Sequence, residues 1–232
     1  MLRFAHTSHI GKVRKENQDR VHVLPGQGIF LLADGVGGHR GGAVASQMAV
    51  EVIADELAAG RTLVQSVMSA DAAIRQAAGK SNETSNMGTT VVVLKITGRE
   101  FEIAWVGDSR AYRIGSAIEQ LTVDHSYVQR LIDDGQISGS EARRHPRRNM
   151  LTAMLGGDDL AAQDVGVVSG TVAEGELLLL SSDGLHDLLA EDELRCLAQD
   201  NKDLDALVES LLEAALDKGG TDNISLVAVR PG

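Results

Sequence analysis

Three short apolar runs in this chain each close on an aspartate beside glycine or serine: Asp34 in LLADGVGG, Asp108 in AWVGDSR and Asp183 in LLLSSDGL. Apolar, often β-branched runs of this length, bounded by Gly and Asp, read as strands, which puts each aspartate at a strand end. A strand delivers its last side chain to a fixed place, and the Gly or Ser nearby lets the backbone turn sharply. A fourth aspartate, Asp222 in GGTDNIS, comes just before another such run. Neighbouring antiparallel strands run in opposite directions, so the end of one and the start of the next share a sheet edge, where four carboxylates can converge.

Any one Asp-Gly after a strand is ordinary turn chemistry. Four aspartates in this setting are more demanding, because carboxylates gathered without counter-charge repel one another and lose solvation, so the cluster wants cations. No Cys or His set has zinc-like spacing, and an all-oxygen site suits hard ions, Mg²⁺ or Mn²⁺. Two such ions lower the pKa of a water between them and clamp the oxygens of an in-line displacement at phosphorus. Phosphoryl hydrolysis is the chemistry that follows.

The remaining pattern bounds the fold. Strand-like runs occupy Gly28 to Ala33, Thr89 to Ile96, Phe101 to Val106, Glu176 to Ser181 and Ile224 to Val229. Stretches rich in Ala, Leu, Glu and Gln, with apolar residues three and four apart, read as amphipathic helices over Ala43 to Ala59, Leu63 to Ala78 and Leu204 to Leu216. Phe101 to Val106 with Ala111 to Ile114 looks like a hairpin, and helices paired between groups of strands favour an α+β layered domain over an alternating parallel sheet. The stretch from Asp124 to Leu155, with Gly135, Gly139 and the basic run Arg143, Arg144, His145, Pro146, Arg147, Arg148, is expected to be a mobile or substrate-facing insertion. The basic run itself is first read as a solvated face. No repeat of fixed period points to a solenoid.

Composition narrows the function classes. With 232 residues, 43% of them hydrophobic, and no low-complexity divider, one domain spanning 1–232 is expected. Lys and Arg total 22 against 33 Asp and Glu, a formal charge of -11, the wrong sign for a general binder of nucleic acid or anionic lipid. The single cysteine, Cys196, reads as a buried structural thiol in a reducing compartment. The first residues, MLRFAHTSHIGKVRKENQD, lack the apolar core of a signal peptide, and no stretch approaches the ~20 apolar residues that span a bilayer, so a cytoplasmic setting is expected.

Seven ordered pieces resemble the metal-dependent PP2C-type (PPM family) protein phosphatases in their compact bacterial form. They are GKVRKENQDR at Gly11 to Arg20, ADGVGGHRGG at Ala33 to Gly42, MGTT at Met87 to Thr90, VGDSRAY at Val106 to Tyr112, LTVDHS at Leu121 to Ser126, LLSSDGLHD at Leu179 to Asp187 and GGTDNIS at Gly219 to Ser225. Each alone is weak, whereas all of them in order over nearly the whole chain are specific. The resemblance implies a four-layer α-β-β-α sandwich of two antiparallel sheets flanked by helices, with the insertion at about 124–155 acting as a flap. It implies serine/threonine protein phosphatase activity by direct attack of a water lying between two Mn²⁺ or Mg²⁺ ions, without a phosphoenzyme. By position, Asp34 would bridge the two ions, with the Gly35 carbonyl on one and Asp183 and Asp222 on the other. Asp108 with Asp183 matches a weaker third metal position, and Asp19 an acid that reaches the metals through water. Arg14 resembles the arginine that grips the substrate phosphate, a task suited to a planar fork of donors. Asn223 would orient Asp222 or its water. The implied partners are phosphorylated proteins and a cognate serine/threonine kinase with its substrates, and the resemblance extends to phosphatases that regulate type VI secretion.

The chain departs from the family at two places. Gln18 precedes Asp19 where relatives often carry two adjacent acids, which removes one negative charge behind the metals. Val36 follows the Asp-Gly where many relatives from higher organisms place a histidine, so the general acid is unassigned between a metal-bound water and the non-equivalent His39. His125, His145 and His186 read as structural or solvated. The glycines of DGVGG do not have the spacing of a nucleotide fingerprint. Two other readings use the same residues: a catalytically silent phosphoprotein-binding relative, and a different two-metal hydrolase such as a nuclease or small-molecule phosphatase.

Overall fold

The computed structural model describes residues 2–37, 41–78, 87–158 and 160–232. The chain runs through β1 (Arg3–His9), β2 (Arg20–Leu24), β3 (Ile29–Ala33), β4 (Gly35–Val36), α1 (Gly41–Ala58) and α2 (Leu63–Ala77). It continues through β5 (Gly88–Thr89), β6 (Val91–Thr97), β7 (Glu100–Val106), β8 (Arg110–Ile114), β9 (Ile118–Gln120), α3 (Tyr127–Asp133) and α4 (Gly139–Ala142). The remaining elements are β10 (Gly166–Thr171), β11 (Leu177–Ser181), α5 (Asp183–His186), α6 (Glu191–Asp200), α7 (Leu204–Asp217) and β12 (Ile224–Arg230).

Two antiparallel sheets form, in the orders β1-β12-β11-β8-β9 and β10-β7-β6-β3-β2, with β4 and β5 as a small separate ribbon. Alternation along each strand sorts the side chains into three packed layers. Phe30, Leu32, Val92, Leu94, Ile103 and Trp105 from one sheet meet Leu178, Leu180, Val227 and Val229 from the other. The intervening residues Leu31, Ala33, Val91 and Val93 turn outward onto α1 and α2, where Ala49, Ile53, Val67 and Ile74 cover them. On the far side Leu177, Leu179, Leu226 and Ala228 pack beneath α6 and α7 through Leu194, Leu207 and Leu211. The result is the expected α-β-β-α order, and burial on both faces is why the central strands read as unbroken apolar runs.

Local chemistry sets the helix starts. Thr62 caps α2, its hydroxyl accepting from Gln65 N–H at 3.3 Å while the Gln65 side chain accepts from Thr62 N–H at 3.1 Å. Asp203 caps α7 by accepting from Ala206 N–H at 3.0 Å.

Three expectations are corrected. The proposed hairpin is not one: β7 pairs with β6 and β10, whereas β8 pairs with β11 and β9 in the other sheet. Between them Gly107, at φ +104°, lies against Thr90 with no room for a Cβ, and this turn sends the chain across the sandwich. The run from Thr89 to Ile96 is interrupted at Thr90, β5 pairing with β4 and β6 with β3. Cys196 is exposed on α6, because Leu194 and Ala198 occupy the face turned to the core.

Candidate active site

At one edge of the sandwich a cleft of about 470 Å³ is lined by Arg14, Asp34, Gly35, Asp108, Asp183, Asp222 and Asn223 together. Asp19, 1% exposed, is absent from that lining and buried behind it. The cleft also draws in Val36 and Thr90, and Asn149 and Leu151 from the segment between β9 and β10. His39 lies outside the described residues.

Each aspartate is delivered by its own strand. β3 ends at Ala33, and the Asp34 carbonyl accepts from Thr90 N–H and from the Thr89 hydroxyl, both at 2.8 Å. The Asp34 N–H donates to Thr90 Oγ1 at 3.2 Å, and that hydroxyl meets Ser109 Oγ at 2.7 Å, linking the Asp34 and Asp108 turns. β11 leads to Asp183, the first residue of α5, where Ser182 N–H donates to the Ser225 carbonyl at 3.0 Å and Ser225 N–H to Ser182 Oγ at 3.0 Å. Gly184 lies directly beneath the Asn223 carbonyl, which leaves no space for a side chain.

The loop between β1 and β2 is held by Asn223. Its Oδ1 accepts from Gln18 N–H at 2.8 Å, and its Nδ2 donates to the Ile10 and Glu16 carbonyls at 2.9 and 3.0 Å. Lys12 N–H adds a bond to the Gly220 carbonyl at 2.7 Å. This places Arg14 over the cleft with its fork on Asp222, Nε to Oδ1 at 2.7 Å and Nη2 to Oδ2 at 2.5 Å.

The electrostatics are those of an acid cluster short of positive charge. Burial is the first cause that raises the Asp34 carboxyl well above the usual range, followed by the charges of Asp19, Asp183, Asp108 and Asp222. Asp183 is raised in the same way, by burial and then by Asp108 and Asp222. Burial pushes Asp19 up to about 6 and, with Asp124 adding to it, Asp108 up to about 7. Oδ1 of Asp183 is buried without a hydrogen-bond partner, and the Ser225 and Ser182 hydroxyls temper the rise at Asp19.

Among the described residues no three carboxylate, imidazole or thiolate groups are by themselves gathered around one point to hold an ion. Mg²⁺-type sites commonly take one or two carboxylates and fill the rest with waters and carbonyls, so this is no conflict. Crowded, buried carboxylates in an oxygen-only donor set, with Oδ1 of Asp183 lacking a donor, fit hard divalent cations.

Sequence reasoning left several cleft residues without a role. Thr89 and Thr90 lie in the quoted MGTT piece, whose paired hydroxyls after a small residue were a usable signal. Asn149 and Leu151 carry none, since a turn between helices and a strand brings them to the site. His125 and His186 serve the framework: His125 Nδ1 accepts from Gly107 N–H at 3.3 Å, and buried His186 meets Ser181 Oγ at 2.9 Å.

The family profile of protein phosphatase 2C matches residues 7–225. The chain is similar to protein phosphatase PhpP of Streptococcus pneumoniae, at 34% identity over 232 residues, covering 95% of this chain and 94% of PhpP. Among solved structures it superimposes on the catalytic domain of PstP in complex with two manganese ions, with TM-score 0.86, 29% identity and coverage of 98% and 97%. It also matches PppA, a key regulatory component of T6SS in Pseudomonas aeruginosa, with TM-score 0.84, 33% identity and coverage of 100% and 98%. A cleft of strand-end aspartates on this sandwich and a match over nearly every residue lead to one conclusion: the chain belongs to the protein phosphatase 2C family of metal-dependent serine/threonine phosphatases.

Proposed function

We propose that the cleft removes phosphate from phosphoserine and phosphothreonine in proteins, with Asp34, the Gly35 carbonyl, Asp183 and Asp222 holding two divalent ions. Asp108 with Asp183 serves a third position and Asp19 acts through water. The observation that carries this reading is the convergence of Asp34, Asp108, Asp183 and Asp222 on one cleft, with Asp19 buried behind them and Oδ1 of Asp183 buried without a donor. Bound Mn²⁺ or Mg²⁺ supplies a water acidic enough to act as nucleophile at neutral pH and positive charge for the phosphoryl oxygens.

The chain's own residues do the rest. Arg14 presents the planar fork that now spans both Asp222 oxygens, a grip that two oxygens of a phosphate also satisfy. Asn223 fixes the loop bearing Arg14 and the backbone of Asp222 in one network, which orders both before a substrate arrives. In-line attack by a water oxygen would form the new P–O bond as the bond to the serine or threonine oxygen breaks, and that oxygen would leave as the alcohol, with the proton given up by the attacking water balancing the one it takes up. Residues 124–155 act as a flap, with Asn149 and Leu151 turned to the substrate. The partners are phosphorylated proteins, including a cognate serine/threonine kinase and its substrates, in the cytoplasm. The likeness to PppA supports a type VI secretion setting among them. Among the described residues no helix is long and apolar enough to cross a membrane.

Phosphate release from phosphothreonine and phosphotyrosine peptides, measured with Mn²⁺, with Mg²⁺ and with chelator, tests this. Chelator-sensitive release from phosphothreonine, lost in Asp34→Asn, is expected. A folded protein that turns over neither peptide with either ion refutes catalysis and leaves a phosphoprotein-binding module.

A further inference from the structure

At the opposite rim from the catalytic cleft, a groove of about 660 Å³ is lined by three cations, Arg3, Lys202 and Arg230, and by two acids, Glu174 and Glu176. Arg3 begins β1 and Arg230 ends β12, and the antiparallel register sets them directly opposite each other. Both share the face of Ala5 and Ala228, which turns toward α6 and α7. His9, beside the catalytic loop, is the other end of β1, so the two sites lie about 20 Å apart at ~3.4 Å per residue.

Like charges directly opposite one another in an antiparallel pair destabilise it. Here one of them is also buried: Arg230 is 8% exposed. Its Nη1 donates to the Lys202 carbonyl at 2.6 Å, while its Nε is buried without a partner. A backbone clamp of that kind uses one of the five donors of a guanidinium. Among the described residues none of Arg3, Lys202 and Arg230 forms an ion pair.

Each of the two acids in the lining has another contact. Glu176 accepts from Ala173 N–H at 2.8 Å, and Glu174, 90% exposed, faces Arg99 at 3.6 Å. Burial and the charge of Arg3 both lower the Arg230 pKa, with no carboxylate opposing them. In a chain of net charge -11, a groove with three cations and two acids, neither acid ion-paired to the cations among the described residues, is a local exception. Two guanidinium groups and an ammonium offer a dianion both forked donors and charge, which suits phosphate better than a single carboxylate.

We infer that the groove between Arg3, Lys202 and Arg230 is a second anion site that binds a phosphate dianion, either inorganic phosphate or the phosphate of a phosphorylated protein segment. It stands apart from the catalytic reading and does not depend on it. The test follows backbone amide NMR shifts of the magnesium-loaded full chain during titration with inorganic phosphate, with a phosphonate-bearing peptide that cannot be hydrolysed, and with acetate. Saturable shifts at Arg3, Lys202 and Arg230, separate from those at the cleft, are expected for phosphate, with affinity reduced about tenfold in Arg3→Gln. Arg230→Lys, which keeps the charge and loses the fork, is expected to weaken phosphate while leaving the fold and the hydrolysis of p-nitrophenyl phosphate intact. If the peptide binds more tightly than free phosphate, the occupant is a phosphoprotein; the reverse order assigns inorganic phosphate. No shift in the groove, shifts unchanged by Arg3→Gln, or equal response to acetate overturns the inference.

Discussion

Asn223 shows how much a single side chain carries at the residue scale. Its amide joins three points of the loop between β1 and β2, so the loop's position and the backbone of Asp222 depend on one group. Asn223→Asp keeps the acceptor for Gln18 N–H and removes both donations to the Ile10 and Glu16 carbonyls. At about 1 kcal/mol per buried hydrogen bond, urea unfolding is expected to show a loss of roughly 2 kcal/mol. Arg14→Ala should act differently. It removes a charged two-point grip, so kcat/KM on a phosphopeptide is expected to fall about 10- to 100-fold while the unfolding midpoint moves little, the side chain being exposed. The aspartates were legible in the sequence because strand-end acids carry a local pattern. Asn223 was legible only as a neighbour of Asp222, since its bonds reach residues more than 200 positions away.

The elements separate what periodicity can reveal from what it cannot. β3, β7, β11 and β12 are buried for most of their length and announce themselves as apolar runs. β2 and β10 mix Val with His, Arg, Ser and Gly over five or six residues, a pattern too short and too polar to announce a strand. The β7 to β8 hairpin failed for a different reason: closeness in sequence favours pairing, but Gly107 turns the chain out of the sheet. Gly107→Ala would place a Cβ 2.6 Å from Thr90 Cβ and hold an L residue at φ +104°. A cost of at least ~1–3 kcal/mol is expected from the backbone alone. Because Thr90 also bonds the Asp34 backbone, turnover should fall along with thermal stability, and comparing both in the same variant checks the coupling.

Over the whole molecule, the acid cluster ties stability to pH and to metal. In the folded, ion-free chain Asp19 holds its proton to about 6 and Asp108 to about 7, whereas the unfolded chain releases such protons near 3.8. Between those values the folded state binds more protons, so their contribution to unfolding free energy declines as pH rises. In chelator the melting temperature is therefore expected to drop between pH 5 and pH 7, and saturating Mn²⁺ should raise it more at pH 7 than at pH 5. A chelated protein equally stable at both values would contradict this. The layered fold was legible as a class from composition and order of segments, but the closure of its sheets was not, because no local pattern records that β1 and β12 are partners. That pairing, Arg3 with Arg230 through His9 with Ile224, has a consequence for biosynthesis. A ribosome delivers Asp34 and Asp108 long before Asp183 and Asp222, and the edge on which all four stand is completed only when β12 has emerged. A growing chain thus holds an unfinished sheet edge, and the cleft is complete only after β12 has cleared the ribosome.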